Sequence, residues 1–379
     1  MQTSQPTPLL GGLTPAQFMR RHWQRKPLVV RGALPGVVPP LARPALFDLA
    51  AREDVESRLL VRDGRRWALR HGPLPRRALP PLSRRGWTLL VQGLDLHVDA
   101  ARALIDRFRF VPDACLDDLM ISYASDGGGV GPHVDSYDVF LLQVQGRRRW
   151  RYGHQRDLGR RPGLPLKILA RFEPECEAVL EPGDLLYLPI GWAHDGVAVG
   201  ADCMTCSIGL RAPARDELAR SVLQRSLDET EPPEDDPLYR DPRQGATESP
   251  GLIPPALVAF AADAVARLIG DRRALACALG EVLTEPKPSV WFDAGGDGPA
   301  AADAGAWQLD RRSRMLYDEH HVFINGESYL ASGRDARAMR ELADRRCLTA
   351  AAVARLSPGA RALLAEWERA GWLRVDTAG

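Results

Sequence analysis

The sequence predicts an α+β protein of more than one domain, because its 379 residues exceed the roughly 100–200 residues of an ordinary domain. Short β-rich runs separated by turn formers recur between about residues 116 and 210, a pattern typical of a sandwich, jelly roll or barrel. Helical periodicity replaces these runs after residue 211. From about residue 306, a hairpin signal and three short helical segments indicate a winged-helix-like module.

The N-terminal part is predicted to begin with a helix. Thr14 is a good N-cap residue, and Pro15 suits the first helical position. Asp63-Gly64 separates two apolar-rich runs and is a strong signal for a hairpin turn. The remaining elements predicted in this part are strands at 27–32 and 87–94 and a helix at 99–108.

The strand-rich region contains the turn formers Asp126-Gly127-Gly128-Gly129 and Glu181-Pro182-Gly183-Asp184. Its strands are predicted at 119–123, 139–144, 149–152, 185–188, 196–199 and 203–210. Cys203 and Cys206 have the spacing of a redox or zinc motif, but no second such pair follows them. We therefore interpret both as core thiols of a buried strand.

The C-terminal half is predicted to be mainly helical before its mixed tail. Asn325-Gly326 between two short apolar runs predicts a hairpin in that tail. The predicted helices are 216–227, 254–269, 272–283, 334–345, 348–355 and 358–370, and a last strand is predicted at 372–375. Apolar positions of the helical stretch either pack internally or form a dimer seam, and periodicity alone leaves both open.

Charge and composition limit the partners. Lys+Arg 50 against Asp+Glu 49 gives a formal charge of +1, and the segment from Gly305 onward holds twelve Arg against ten Asp and Glu. Direct nucleic-acid binding is therefore not expected. The sequence shows no membrane-spanning apolar run and no signal-peptide pattern, and six cysteines do not make a disulfide framework, so a cytoplasmic location is expected.

A candidate metal site begins at His133 and Asp135, which are two residues apart and would share one face of a strand. His194, after a Pro-Gly turn, can return beside them in a barrel of short strands. Two histidines and one carboxylate on one side of a metal are the ligand set of non-haem Fe(II) oxygenases. Taken alone, the His-x-Asp pair is more often structural, and the addition of His194 favours the metal site.

Three consecutive arginines at 147–149 offer a partner for a carboxylate. Strand alternation puts Arg148 on the face opposite Arg147 and Arg149. A buried Arg binds a carboxylate by a charge-assisted, bidentate contact, which an oxygenase using 2-oxoglutarate requires. The alternative is a solvated basic turn, which describes some of the three arginines.

With these residues, the chain resembles the JmjC-type 2-oxoglutarate oxygenases, and more narrowly the bacterial ribosomal oxygenases that hydroxylate an arginine of a large-subunit ribosomal protein. The segments that carry the resemblance are 22–28, 117–122, 127–140, 146–151, 180–184 and 207–213. The family implies a double-stranded β-helix (jelly-roll) catalytic domain at 1–213, a helical dimerisation region at 214–288 and a winged-helix-like domain at 289–379. It also implies a homodimer.

The resemblance assigns roles to individual residues. His133, Asp135 and His194 would bind Fe(II), while Arg148 and Ser122 would hold the cosubstrate 2-oxoglutarate. Dioxygen is the other cosubstrate, and a protein of the large ribosomal subunit is the implied substrate.

Three further residues are candidates for contact with a substrate arginine. Asp126 would pair with the guanidinium, Tyr137 would stack on it, and Ser207 on the last core strand would reach the same cleft. For each of them a surface or packing role is the alternative. Two other functions stay open: the same chemistry on a histidine of another ribosomal protein, and a cupin-like binding or regulatory protein without turnover.

Overall fold

The structure is a computed structural model that describes residues 2–64, 66–229, 237–242, 251–293 and 306–376. The chain groups into two compact units. The first contains the chain up to Ala212 together with Pro288–Trp291, and the second contains Pro213–Lys287 and the chain from Phe292 onward. The division into three domains inferred from the sequence stays a prediction.

The first unit is built on one antiparallel hydrogen-bonded network of ten strands. Strands β1–β10 are Leu28–Val30, Ser57–Asp63, Arg66–His71, Trp87–Val91, Leu116–Ala124, His133–Val134, Asp138–Gly153, Cys176–Leu180, Leu185–Leu188 and Ala193–Leu210. Helices α1–α3 are Pro15–Arg21, Arg43–Leu49 and Asp99–Ile105. The strands follow the order β1-β9-β7-β10-β5-β4-β2-β3, with β6 on β10 and β8 on β7. This confirms the predicted jelly-roll class, although the sheets do not close into a barrel.

The two long strands, β7 and β10, organise this unit. The sequence predicted each of them as two shorter strands, and this was wrong because the chain bends at those points without leaving the ladder. Gly146 takes a φ of +63° within β7, and Gly200 takes +85° within β10. The register of the β7–β10 pair shifts between Val199 and Met204, where both strands turn.

Several local predictions are confirmed. Thr14 caps α1, and the hairpin around Asp63-Gly64 joins β2 to β3. Gln17 completes a reciprocal capping box with Thr14, which the sequence analysis did not predict. Helix α2 and strand β8 were missed. Most of β8 is exposed, so it lacks the apolar alternation that identifies a strand from sequence.

The core of the first unit is rich in aromatic side chains. Phe18, Trp87, Tyr123, Phe140 and Tyr187 are all fully buried within one cluster. Phe140 packs on Tyr187 with ring centroids 4.9 Å apart. This core supports β5, β7 and β10, the strands that carry the residues discussed below.

The second unit has its own core. Its helices α4–α9 are Arg215–Glu229, Pro255–Gly270, Arg272–Thr284, Gly333–Arg345, Ala350–Val353 and Pro358–Arg369. Its strands β11–β16 are Ala306–Leu309, Met315–Tyr317, His321–Ile324, Glu327–Leu330, Cys347–Leu348 and Leu373–Asp376. Helix α6 packs on the hairpin β13–β14, where Gly280 lies against the ring of Phe323. The predicted winged-helix-like tail is confirmed.

Two expectations concern what the chain does not contain. Within the described residues, every helix is too short or too polar to cross a bilayer. Cys203 and Cys206 are both buried and free on β10, and three residues along a strand put their side chains on opposite faces. Their interpretation as core thiols is confirmed.

Candidate metal centre and its cavity

The candidate metal ligands converge where β6 meets the start of β10. His133 and His194 are directly opposed in the β6–β10 pair, and their ring centroids lie 4.3 Å apart. Asp135 follows β6 and places its carboxylate oxygens 3.7 Å from His133 Nε2 and 3.5 Å from His194 Nε2. One ligand atom from each residue lies within 4.8 Å of the others. The strand ends at Val134, so Asp135 turns inward after the strand instead of continuing it.

Backbone hydrogen bonds prepare both histidines to bind a metal. His133 Nδ1 lies 2.9 Å from the Gly131 carbonyl, and His194 Nδ1 lies 3.0 Å from the Trp192 carbonyl. When Nδ1–H donates to the carbonyl, the Nε2 lone pair is free for a metal. Burial, together with the neighbouring His133, lowers the pKa of His194 to about 4. His194 is therefore neutral at physiological pH, which is the form that ligates.

The triple-glycine loop holds His133 opposite His194. Gly128 accepts a hydrogen bond from the Ala198 N–H at 2.9 Å, so the loop is tied to β10. A Cβ on Gly129 would lie 2.4 Å from the Gly196 carbonyl oxygen. The backbones of the loop and of β10 approach so closely here that no side chain fits at position 129.

Gly129→Ala is expected to lower the free energy of unfolding by about 1–3 kcal/mol, the usual cost of overpacking a close contact. Thermal unfolding monitored by circular dichroism measures the change. Gly209→Ala on β10 is the matched control, because its Cβ would meet neighbours only at ordinary contact distances of 3.6 Å and more. Equal melting temperatures for the two variants would contradict this account of the loop.

A cavity of about 370 Å³ opens in front of the three ligands. Its size is that of a small-molecule site. The residues predicted from the sequence that line it are Ser122, His133, Asp135, Tyr137, Arg148, His194 and Ser207. Asp126 is the exception: its carboxylate pairs with Arg85 at 2.7 Å and accepts the Gly200 N–H at 2.9 Å. The structure does not bring Asp126 to the cavity.

Arg148 is a buried cation in the lining of this cavity. Arg148 is 4% exposed, whereas Arg147 on the opposite face of β7 is exposed, as strand alternation indicated. Its Nε donates to Cys203 Sγ at 3.5 Å, and its buried Nη2 has no hydrogen-bond acceptor among the described residues. No carboxylate of the described chain lies within 4 Å of it. A buried guanidinium without an anion is costly, so the cavity suits a ligand that brings a carboxylate.

Ser122, Tyr137 and Ser207 surround the same space. Ser122 is buried on β5, and its hydroxyl donates to the Thr205 carbonyl at 3.4 Å. Tyr137 is 39% exposed and lies at the edge of the cavity. Ser207 on β10 pairs with Met120 of β5, which also lines the cavity.

Sequence reasoning missed a further part of the lining. Arg58 and His71 come from the β2–β3 hairpin, and Leu166 and Lys167 come from the segment after β7. Asp118, which does not belong to this lining, was also missed: it is buried on β5 and accepts hydrogen bonds from Gln92 Nε2 at 3.0 and 2.8 Å. Alternation along the hairpin groups positions 58 and 60 on one face, but no pattern in the sequence says that this face covers the cavity.

Comparison with known proteins gives two family matches. The JmjC domain family matches residues 103–218, which include all three candidate ligands and Arg148. The ROXA-like winged helix family matches residues 267–374.

Among curated proteins, the chain is 40% identical over 215 residues to the ribosomal protein uL16 3-hydroxylase of Escherichia coli. The matched residues make up 55% of this chain and 57% of that protein. It is also 40% identical over 205 residues to a probable ribosomal oxygenase of Haemophilus influenzae, and this match covers 53% of this chain and 50% of that protein. The matched part thus spans about half the length of these curated relatives.

The structural likeness extends over nearly the whole chain. The crystal structure of YcfD from E. coli superposes with a TM-score of 0.83 at 30% identity, and the match covers 96% of this chain and 98% of that one. YcfD, a ribosomal oxygenase, is also known in complex with cobalt and 2-oxoglutarate.

Proposed function

The chain belongs to the JmjC-domain ribosomal oxygenases, and on this premise we propose that it is a 2-oxoglutarate- and Fe(II)-dependent hydroxylase of an arginine in a large-subunit ribosomal protein. One observation carries the proposal. The three converging ligands and the buried, carboxylate-seeking Arg148 line the same cavity. A binding protein without turnover has no need of both.

In this proposal His133, Asp135 and His194 hold the iron, which supplies the activation of dioxygen when bound. Arg148 binds the distal carboxylate of 2-oxoglutarate through its fork, and the Ser122 hydroxyl assists it. The carbonyls of Gly131 and Trp192 fix the orientation of both imidazoles. The apolar lining of the cavity, including Leu141 and Trp150, limits the access of water.

The surroundings of Tyr137 support an arginine as the target. A Cβ on Gly209 would lie 3.6 Å from Asp118 Oδ1 and 4.0 Å from Tyr137 Cε2, so the carboxylate and the phenol ring are neighbours. A guanidinium stacks well on an aromatic ring and pairs well with a carboxylate. The name of the E. coli relative identifies uL16 as the protein that the relative modifies, and we extend this substrate class to the present chain. Ribosomal proteins are made in the cytoplasm, where we place the enzyme.

Removal of the metal is expected to abolish both hydroxylation and 2-oxoglutarate turnover. Dialysis against a chelator, followed by addition of Fe(II) or Zn(II), tests this with uL16 as substrate and succinate and hydroxylated protein as readouts. Fe(II) should restore both products in equal amounts, and redox-inert Zn(II) should restore neither. Full turnover in the chelated protein would contradict the proposal.

We also propose that helix α5 forms the seam of a homodimer. Val258, Val265 and Ile269 are 55%, 58% and 44% exposed, and their spacing puts them on one face of the helix. Such a row of exposed apolar residues usually marks a protein interface. A second copy of the chain covers this face in our proposal.

The double variant Val258→Glu/Val265→Glu is expected to halve the molar mass in solution, because it introduces two charges on each side of the seam. Size-exclusion chromatography with light scattering measures this. Arg267→Glu is the matched control, since nine residues from Val258 put it on the opposite side of α5. A monomeric parent protein, or a dimeric double variant, would contradict the seam.

A further inference from the structure

A second cavity, of about 390 Å³, lies beside the metal cavity and is not used by the reaction described above. Its lining includes the side chains of Arg62, Trp67, Arg151, Arg161 and Phe172. The two cavities share Ile168 as a lining residue. They are therefore neighbours within the first unit.

One face of the β2–β3 hairpin forms the floor of both cavities. The hairpin pairs Arg58 with His71, Leu60 with Leu69 and Arg62 with Trp67. The first two pairs line the metal cavity, and the third lines the second cavity. Successive pairs on one face are about 7 Å apart, so the floor continues from one cavity to the next within a few residues of extended chain.

The segment after β7 forms the opposite wall. Residues 165–168 line the metal cavity, and residues 168–170 with Phe172 line the second cavity. Leu169 N–H donates to the Pro132 carbonyl at 2.8 Å, directly before His133. At the boundary, a Cβ on Gly131 would lie 3.1 Å from Ile168 Cδ1 and 3.2 Å from Trp67 Cζ2. The same hairpin and the same segment therefore line both cavities, and the two cavities meet at Ile168.

The second cavity is rich in hydrogen-bond donors. Arg151 is paired with Asp195 at 2.5 Å, whereas Arg62 and Arg161 have no carboxylate within 4 Å in the described part of the chain. Arg62 lies over the ring of Trp67 at 5.7 Å, and Phe172 offers a second aromatic surface. Charged donors beside aromatic faces suit a polypeptide that presents oxygen acceptors.

We propose that this second cavity binds the polypeptide flanking the modified residue of the protein substrate, with Arg62 and Arg161 donating to its oxygen atoms. The inference rests on the proposed function and extends it to a site outside the metal cavity. Since an extended chain advances about 3.3 Å per residue, the bound segment lies about two to four residues from the modified one. The acceptors are main-chain carbonyls or a side-chain carboxylate.

The test compares two peptides of uL16 centred on the modified residue. The long peptide extends about 20 Å, or roughly six residues, to each side, and the short one extends about 3 Å, or roughly one residue. In the parent enzyme, kcat/KM for the long peptide should exceed kcat/KM for the short peptide about tenfold, the scale of a charge-assisted hydrogen bond. This long-to-short ratio should fall toward one in the double variant Arg62→Ala/Arg161→Ala.

Arg70→Ala/Arg160→Ala is the matched control and should keep the parent ratio. Both residues are exposed, Arg70 lies on the other face of the hairpin, and neither lines the cavity. Replacing any flanking Glu or Asp of the long peptide by its amide distinguishes the two kinds of acceptor. A lower kcat/KM assigns the contact to a carboxylate, and an unchanged kcat/KM assigns it to main-chain carbonyls. A ratio that is equal in all three enzymes would overturn the inference and leave the proposed function intact. Hydroxylation of neither peptide nor of intact uL16 would instead remove the proposed function.

Discussion

Replacing His133 or His194 with Ala is expected to reduce hydroxylation by at least about 100-fold, because losing a ligand exceeds the 10–100-fold effects usual for residues behind the ligands. The Nε2 atoms of both rings face the carboxylate of Asp135 at 3.5–3.7 Å, and no other His, Cys, Asp or Glu of the described chain joins this cluster. Bound metal, measured by isothermal titration calorimetry, should fall together with activity.

His320→Ala is the control for these variants, since this histidine is exposed in the second unit. It should keep the metal affinity and the activity of the parent protein. If His133→Ala bound Fe(II) as tightly as the control, the assignment of the metal ligands would be wrong.

Arg148→Lys is expected to raise the KM for 2-oxoglutarate by about 10–100-fold, the equivalent of about 1.5–3 kcal/mol for a lost charge-assisted contact. Lysine keeps the charge but loses the planar fork that matches a carboxylate. The buried Nη2 of Arg148, which has no acceptor within the described residues, is the atom that we expect to bind the cosubstrate. Steady-state kinetics at varied 2-oxoglutarate concentrations measures the effect.

Arg147→Lys provides the comparison, because Arg147 is exposed on the other face of β7. It should leave the KM for 2-oxoglutarate unchanged. An Arg148→Lys variant with the parent KM would show that another residue holds the cosubstrate.

Local chemistry made much of the fold predictable. The N-cap at Thr14 and the turn at Asp63-Gly64 depend on residues close together in the chain, and both form as expected. The sequence predicts strand ends at the bends in β7 and β10, because a glycine at positive φ gives the same sequence signal at a bend and at a strand end. Only the pairing of the two long strands in the folded protein shows that each strand continues through its bend.

The candidate site was likewise predictable only in part from the sequence. Spacing identified His133 and Asp135. Alternation only separated Arg148 from its two neighbouring arginines, and the family resemblance assigned it to the cosubstrate. The charge of Asp126 beside the glycine loop predicts a contact with the substrate, yet its carboxylate pairs with Arg85 and accepts the Gly200 N–H instead. The contributions of Arg58, His71 and Lys167 depend on how a hairpin and a loop fold over the cavity, and short-range patterns do not contain that information.

Intact-protein mass spectrometry of ribosomal proteins tests the central claim most directly. The proteins are incubated with this enzyme, Fe(II) and 2-oxoglutarate, with the His133→Ala variant as the control. We expect one large-subunit protein to gain the mass of a single oxygen atom, which fragmentation places on an arginine, only with the parent enzyme. The same gain on a histidine would keep the chemistry and change the target. No gain on any protein, with no succinate formed, would contradict the proposed function.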